Sequence, residues 1–363
     1  MTSREKEILN ILRSNPLISQ QQLAKELGIT RSSVAVHIGN LIKKGHIKGK
    51  GYILNEERYI TVIGGTNIDI QGFTGNKLIL NDSNPGSVKT SLGGVGRNIA
   101  ENTTKLGIKT KLISVLGNDL YGKRILKECR MAGIDMDNCL VINGNTSTYL
   151  SILDENRDMK VAISDMDNFS QMNVDYIKQK NSIINKSKIV VIDTNIDYEV
   201  IEYILSNFND KVFFLDAVST TKCKKVKDLI GKFHTIKPNK IEAEALSGIK
   251  INKEEDLNKA LDYFLQKGVK KVFISLGEDG VFYGDENTKG IIRSPKINVV
   301  NATGAGDAFM AGLIYSYINN YNIHYSSVFS MTSSILALSH EDTINPNISV
   351  ENINKKIKEL RIC

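Results

Sequence analysis

The chain has 363 residues, 41% of them hydrophobic and 24% charged, with 47 Lys/Arg against 40 Asp/Glu. That length and balance suit a globular protein with one large core and room for a small second domain. They exclude a helical membrane protein, because no apolar run approaches the roughly 20 residues a span needs. The four cysteines, Cys129, Cys139, Cys223 and Cys363, form no C-x-x-C pair, which predicts free thiols in a reducing cytoplasm. The polar start is not that of a signal peptide.

Residues 1–59 hold ten Lys/Arg and five Asp/Glu, a net of +5; the rest holds 37 and 35, a net of +2. Most of the formal +7 therefore sits in the first sixth of the chain, where it would favour nucleic-acid phosphates. Arg4 to Ser14 carries Ile8, Leu9, Ile11 and Leu12 on one helical stripe. Asn15-Pro16 stops it. Ser19 caps a helix over Gln20 to Leu27, ended by Gly28. Thr30 caps a third, Arg31 to Lys44, with Val34, Ile38, Leu41 and Ile42 inward and Val36 outward. Gly45 to Leu54 reads as a two-strand wing with a basic, glycine-rich tip. The whole resembles a winged helix-turn-helix domain over residues 1–57. The resemblance implies DNA binding, with Arg31, Ser32, Ser33 and His37 on the third helix and Lys48 and Lys50 on the wing as contacts. A small docking domain with a solvated basic face is the alternative. No metal-ligand spacing accompanies His37 or His46.

Residues 55–58 join this segment to a second domain, 58–363. There strands are expected at Tyr59–Gly64, Lys111–Leu116, Ser187–Asp193, Val212–Asp216, Thr235–Lys237 and Lys271–Leu276. Helices are expected at Asp119–Met131, Tyr198–Ser206, Ile241–Ser247 and Glu254–Lys267. The alternation predicts an α/β fold, a parallel sheet flanked by helices. Gln71–Thr90 and Thr146–Ile163 are polar-alternating and not helical.

Glycine-rich junctions punctuate this domain. The first strand runs into Gly64-Gly65-Thr66-Asn67-Ile68-Asp69, where Asn67 and Asp69 could accept from sugar hydroxyls. Ser91-Leu92-Gly93-Gly94-Val95-Gly96-Arg97-Asn98 opens a helix expected over Asn98 to Leu106, and Asn98 can both donate and accept. Taken singly, these residue types are those of turns and caps. Lys237-Pro238-Asn239-Lys240-Ile241-Glu242 and Ser275-Leu276-Gly277-Glu278-Asp279-Gly280 follow. Last, an apolar run (Ile297 to Val300) reads as a strand leading into Thr303-Gly304-Ala305-Gly306-Asp307, before a helix expected over Ala308 to Ile318. Free N–H groups at that helix start attract an anion, and Asp307 sets a carboxylate beside it. A phosphate cradle with a base suits phosphoryl transfer to a hydroxyl. Read alone, it is equally an ordinary glycine-rich loop.

Together, and in this order, the four motifs resemble those of the PfkB, or ribokinase-like, carbohydrate kinases, over roughly residues 58–363. The resemblance implies a ribokinase-like fold with a small β lid (segments 71–90 and 146–163) and a phosphotransferase with an alcohol acceptor. It implies Asp307 as general base, and Gly304, Ala305 and Gly306 as backbone donors to the transferred phosphoryl group. Asn67, Asp69, Gly93, Gly94, Asn98 and Asn195 would hold the substrate. Asn239, Gly277 and Gly280 would border ATP, and Glu242 would hold Mg²⁺ through water. The first-turn charge of a helix is the other reading of Glu242. Asn195 stands where many members carry an acidic sugar ligand, which points away from free ribose. Asn301 replaces a frequent Asp that helps bind a monovalent cation, which puts that cation in doubt.

Gly64 to Gly72, Ser83 to Gly86, Gly93 to Gly107 and Thr343 to Asn347 are similar to pseudouridine kinases. The expected reaction is therefore ATP-dependent phosphorylation of a nucleoside 5′-hydroxyl, that of pseudouridine. Another nucleoside (inosine, cytidine) or ribose is the runner-up. A ligand-sensing transcription regulator with a kinase-like domain is the alternative of another class. A cytoplasmic homodimer, with DNA as a further partner and no membrane, completes the expectation.

Overall fold

Side-chain caps start the three helices among the described residues of the N-terminal unit, Met1–Arg58. Thr2 accepts from Glu5 N, Ser19 from Gln22 N and Thr30 from Ser33 N, opening α1 (Ser3–Ser14), α2 (Gln20–Leu27) and α3 (Arg31–Lys43). Ile8, Leu12, Leu23, Val34, Ile38 and Leu41 meet in a core of their own. Ile42, expected inward, is 47% exposed. It lies about 80° round the helix from Val34, off the stripe, and Ile47 fills the core instead. Glu5 is buried, and both its oxygens accept from Lys44 Nζ at 2.8 Å, tying α1 to the end of α3.

This computed structural model describes residues 1–49 and 59–361. Residues 50–54 of the expected wing, Lys50 among them, and the joining residues 55–58 lie outside them, as does Cys363.

The second unit is Tyr59–Cys363. Its strands are β1 (Ile60–Ile63), β2 (Asn67–Thr74), β3 (Gly86–Gly93), β4 (Thr110–Ile113), β5 (Val115–Gly117), β6 (Leu140–Ile142) and β7 (Thr148–Leu153). β8 (Met159–Asp165), β9 (Ile189–Asp193), β10 (Val212–Asp216), β11 (Thr235–Ile236), β12 (Lys271–Ser275), β13 (Val281–Gly284) and β14 (Lys289–Ile292) follow. Eight form one sheet, β14-β13-β12-β11-β10-β9-β1-β4. From β4 through β12 the neighbours are parallel, as the alternation predicts. β13 and β14, which the pattern did not resolve, add an antiparallel edge, so the sheet is mixed. Its central strands are buried on both faces: Val190 and Ile192 pack with Ile201 and Phe264, Ile189 and Val191 with Ile99 and Met310. Continuous apolar strands of this kind need helices on both sides.

Two strand expectations are corrected. Lys111–Leu116 is not one strand: it breaks at Ser114, whose hydroxyl donates to Gly64 O at 2.6 Å, and β5 leaves to pair with β6. Ile297 to Val300 forms no strand; Val299 and Val300 are exposed, and Val300 N donates to Leu338 O at 2.8 Å. Valine's β preference needs a strand alongside to act on.

A second sheet, β3-β2-β7-β8, occupies the two non-helical stretches. Its register puts Ile70, Val88, Leu150, Ile152, Val161 and Ile163 on one face, and Asp69, Gln71, Ser91, Tyr149 and Ser151 on the other. Among the described residues no helix is long and apolar enough to cross a membrane.

Candidate functional site

Two helices begin side by side, each three residues earlier than the sequence suggests: Val95–Lys105 behind Gly94, and Ala305–Ile318 behind Gly304. Glycine's low helix propensity disguises both starts. Both cap glycines have left-handed φ, 99° and 84°. A Cβ on Gly94 would lie 2.4 Å from Gly65 O, and one on Gly304 2.3 Å from Thr343 O. No other residue meets both demands. Asn98 and Asp307 consequently sit inside first turns, where Asn98 Nδ2 donates to Asp307 Oδ2 at 2.7 Å. The N–H groups of Ala305, Gly306 and Asp307 precede the i→i−4 bond from Ala308 N to Gly304 O (3.0 Å), so they gather partial positive charge beside that carboxylate.

Three parallel strands end at the same edge in charge: β9 in Asp193, β10 in Asp216, and β11 runs on into Lys237. The carboxyl edge of such a sheet is where ligands bind in open α/β folds. Burial first, then the like charge of Asp216, pushes the Asp307 carboxyl up to about 8, while Asn98, Lys237 and Arg97 pull against it. Asp193 accepts from Gly65 N (2.7 Å) and Asn195 N (2.8 Å), and burial still pushes it up to about 6. Lys237 forms an ion pair with Asp216 at 3.3 Å. Burial alone would depress its ammonium; the carboxylates of Asp216, Glu242 and Asp307 outweigh that and raise it. Asp193, Asp216 and Lys237 were not singled out from the sequence. The signal was a buried apolar run ending in a charge, as in Val212 to Asp216.

Asn67 Nδ2 donates to Asp69 Oδ1 at 2.7 Å, and the Asp69 carboxylate, raised by burial, lies against the Cα of Gly93. Arg97 fixes the glycine loop: buried, it donates to Leu92 O and Gly93 O and pairs with Glu101 at 2.6 Å. Asn195 lies against Gly65, and its Oδ1 accepts from Lys222 Nζ at 2.6 Å. Asn239 and Glu242 form a capping box on the helix Lys240–Ser247, each side chain accepting the other's N–H at 2.9 Å. Burial raises the Glu242 carboxyl. Gly277 and Gly280 flank the turn between β12 and β13; Gly277 faces open space and Gly280 packs on Ile292 O. Asn301 is spent on backbone groups, donating to Glu341 O of a distant loop and accepting from Thr303 N of its own, both at 2.9 Å. Among the described residues no three His, Cys, Asp or Glu side chains gather as metal ligands.

The second unit thus brings Asn98, Asp307 and Gly304 to Gly306 together, with Asn67, Asp69, Gly93 and Gly94 beside them. In the N-terminal unit Arg31, Ser32 and Lys48 are exposed; Ser33 is tied to Thr30 and His37 is half-buried.

Comparison with known proteins divides the chain at the same place. The description of pfkB family carbohydrate kinases matches residues 57–349, and that of winged helix-turn-helix DNA-binding domains matches residues 1–48. The pseudouridine kinase of Escherichia coli (strain K12) is 42% identical over 83% of this chain and 96% of its own. An uncharacterised sugar kinase of the same strain is 37% identical over 97% of this chain and 98% of its own. A crystal structure of a Clostridium perfringens protein, assigned provisionally as a sugar kinase, superposes with a TM-score of 0.77, 45% identity, and coverage of 84% of this chain and 97% of that one.

Proposed function

Because the chain belongs to the pfkB family of carbohydrate kinases, which are phosphotransferases with an alcohol acceptor, we propose that it transfers a phosphoryl group from ATP to the 5′-hydroxyl of pseudouridine. The observation that carries the chemistry is Asp307: a buried carboxylate in the first turn of a helix whose free N–H groups lie beside it. The choice of pseudouridine rests on the 42% identical relative of that name. A C-glycosidic nucleoside is not cleaved by ordinary phosphorolysis, so a dedicated kinase makes chemical sense.

In this reading Asn67, Asp69, Gly93, Gly94, Asn98 and Asn195 bind the nucleoside. Asn195 acts through its amide nitrogen, since its oxygen is held by Lys222. Asp307 takes the proton of the attacking hydroxyl. The N–H groups behind Gly304 stabilise the transferred charge, typically by a few kcal/mol per donor. Asn239, Gly277 and Gly280 border the nucleotide. Mg²⁺ in such chemistry keeps its waters and phosphate oxygens and needs few protein ligands, which fits a single carboxylate such as Glu242. Asn301 offers a monovalent cation no carboxylate.

The N-terminal unit binds DNA through α3 and the wing, with Arg31, Ser32, Ser33, His37, Lys48 and Lys50 in contact, and the chain acts as a homodimer. The apolar face of the small sheet, where Val88, Val161 and Ile163 are 72%, 52% and 60% exposed, suits a second copy.

The test is ATP turnover with Mg²⁺ against pseudouridine, uridine, cytidine, inosine, adenosine, ribose and fructose. Selectivity for pseudouridine is the expected result. Turnover with another acceptor keeps the chemistry and replaces the substrate. No turnover with any of them favours the ligand-sensing regulator.

A further inference from the structure

Lys237 has no part in the reading above, yet its setting asks for one. It follows β11, is 7% exposed, and its ammonium lies 3.3 Å from Asp216 Oδ2. That is longer than the about 2.7–2.9 Å of a charge-assisted hydrogen bond. An ammonium carries three donors, and one long ion pair leaves most of that capacity unspent. On its other side Nζ stands 3.3 Å from the point where a Cβ on Gly306 would sit. It therefore faces the first turn of Ala305–Ile318, where backbone N–H groups converge. A buried cation against converging N–H groups is unfavourable by itself. An anion at that point satisfies both.

We propose that Lys237 is a catalytic residue, its ammonium donating to an oxygen of the phosphoryl group in transit while Asp216 keeps it in place between turnovers. This rests on the phosphoryl-transfer reading. In the transfer, the bond from the γ-phosphorus to the bridging oxygen breaks and its electron pair leaves with ADP. The bond from the acceptor oxygen to phosphorus forms, and the hydroxyl proton goes to Asp307. Lys237 keeps its protons and supplies charge and hydrogen bonds only.

The test uses the full chain with Lys237→Met and Lys237→Arg. Steady-state turnover is measured beside capture of MgADP, aluminium fluoride and nucleoside, a mimic of the planar phosphoryl group. Lys237→Met should lower kcat by about 10²–10³-fold and abolish the fluoride complex. MgADP affinity and nucleoside KM should stay within about three-fold. Lys237→Arg should recover part of both losses. A Lys237→Met protein that keeps its kcat or its fluoride complex overturns the proposal. So does one in which Tm, MgADP affinity and kcat fall together and Arg is no better than Met, since the pair is then structural only. If the wild type neither turns over any nucleoside nor captures the fluoride, the kinase reading fails and takes the inference with it.

Discussion

Asp307 combines two opposing demands on one side chain. As a base it must be ionised, yet burial and Asp216 push its carboxyl up to about 8. For a carboxyl raised on folding, the stabilising contribution is whole below the ordinary carboxylate range and is lost as pH rises through about 8. Asp307→Asn removes that loss. We predict that the variant's gain in Tm over the wild type grows from about pH 5 to pH 8 and then levels off. Its kcat should be lower by at least about 10²-fold. Calorimetry across that range, beside turnover at each pH, checks both; a gain independent of pH would remove Asp307 as the titrating group. In the wild type, kcat/KM should rise with pH toward the same value, since it reports the free enzyme.

Elements carry the next level of constraint. The loop at Gly94 works because its backbone meets Gly65 and Thr66 with no side chain between. Gly94→Ala should lower stability by about 1–3 kcal/mol and raise nucleoside KM, read by denaturant melts and saturation kinetics. The capping box at Asn239 and Glu242 raises a different question, because the two residues that hold a helix start are also proposed beside the nucleotide and the metal, respectively. Glu242→Gln retains a cap acceptor. We predict a nearly unchanged Tm and a higher Mg²⁺ concentration for half-maximal rate. A fall in Tm with unchanged Mg²⁺ dependence would leave Glu242 a helix cap and nothing more.

At the scale of the whole molecule, each unit buries a core of its own. Residues 59–363 alone should therefore retain nucleoside turnover and lose DNA retention. Arg31→Glu in the full chain should weaken DNA binding and reduce its salt slope without changing turnover, measured by titration at several salt concentrations. A turnover defect in the shortened chain would show that the first unit supports the second. Val161→Glu with Ile163→Glu, on the exposed apolar face, should shift sedimentation toward a monomer.

The sequence by itself determined the alternation of strands and helices, the caps Ser19 and Thr30, the non-helical character of the two stretches that form the small sheet, and the glycine-rich junctions that carry Asn98 and Asp307. These are local matters: periodicity, capping chemistry and turn residues are written within a few positions of where they act. Tertiary structure alone decided that Asp193, Asp216 and Lys237 share one edge, because parallel strands far apart in sequence lie side by side. It moved two helix starts three residues upstream, where glycines with positive φ pack against backbone that propensity cannot see. It also added the antiparallel edge and left Ile297 to Val300 without a strand, whereas the exposure of Ile42 follows from its angle round the helix. In each tertiary case the deciding energy is a contact with a distant segment, which no window of sequence contains.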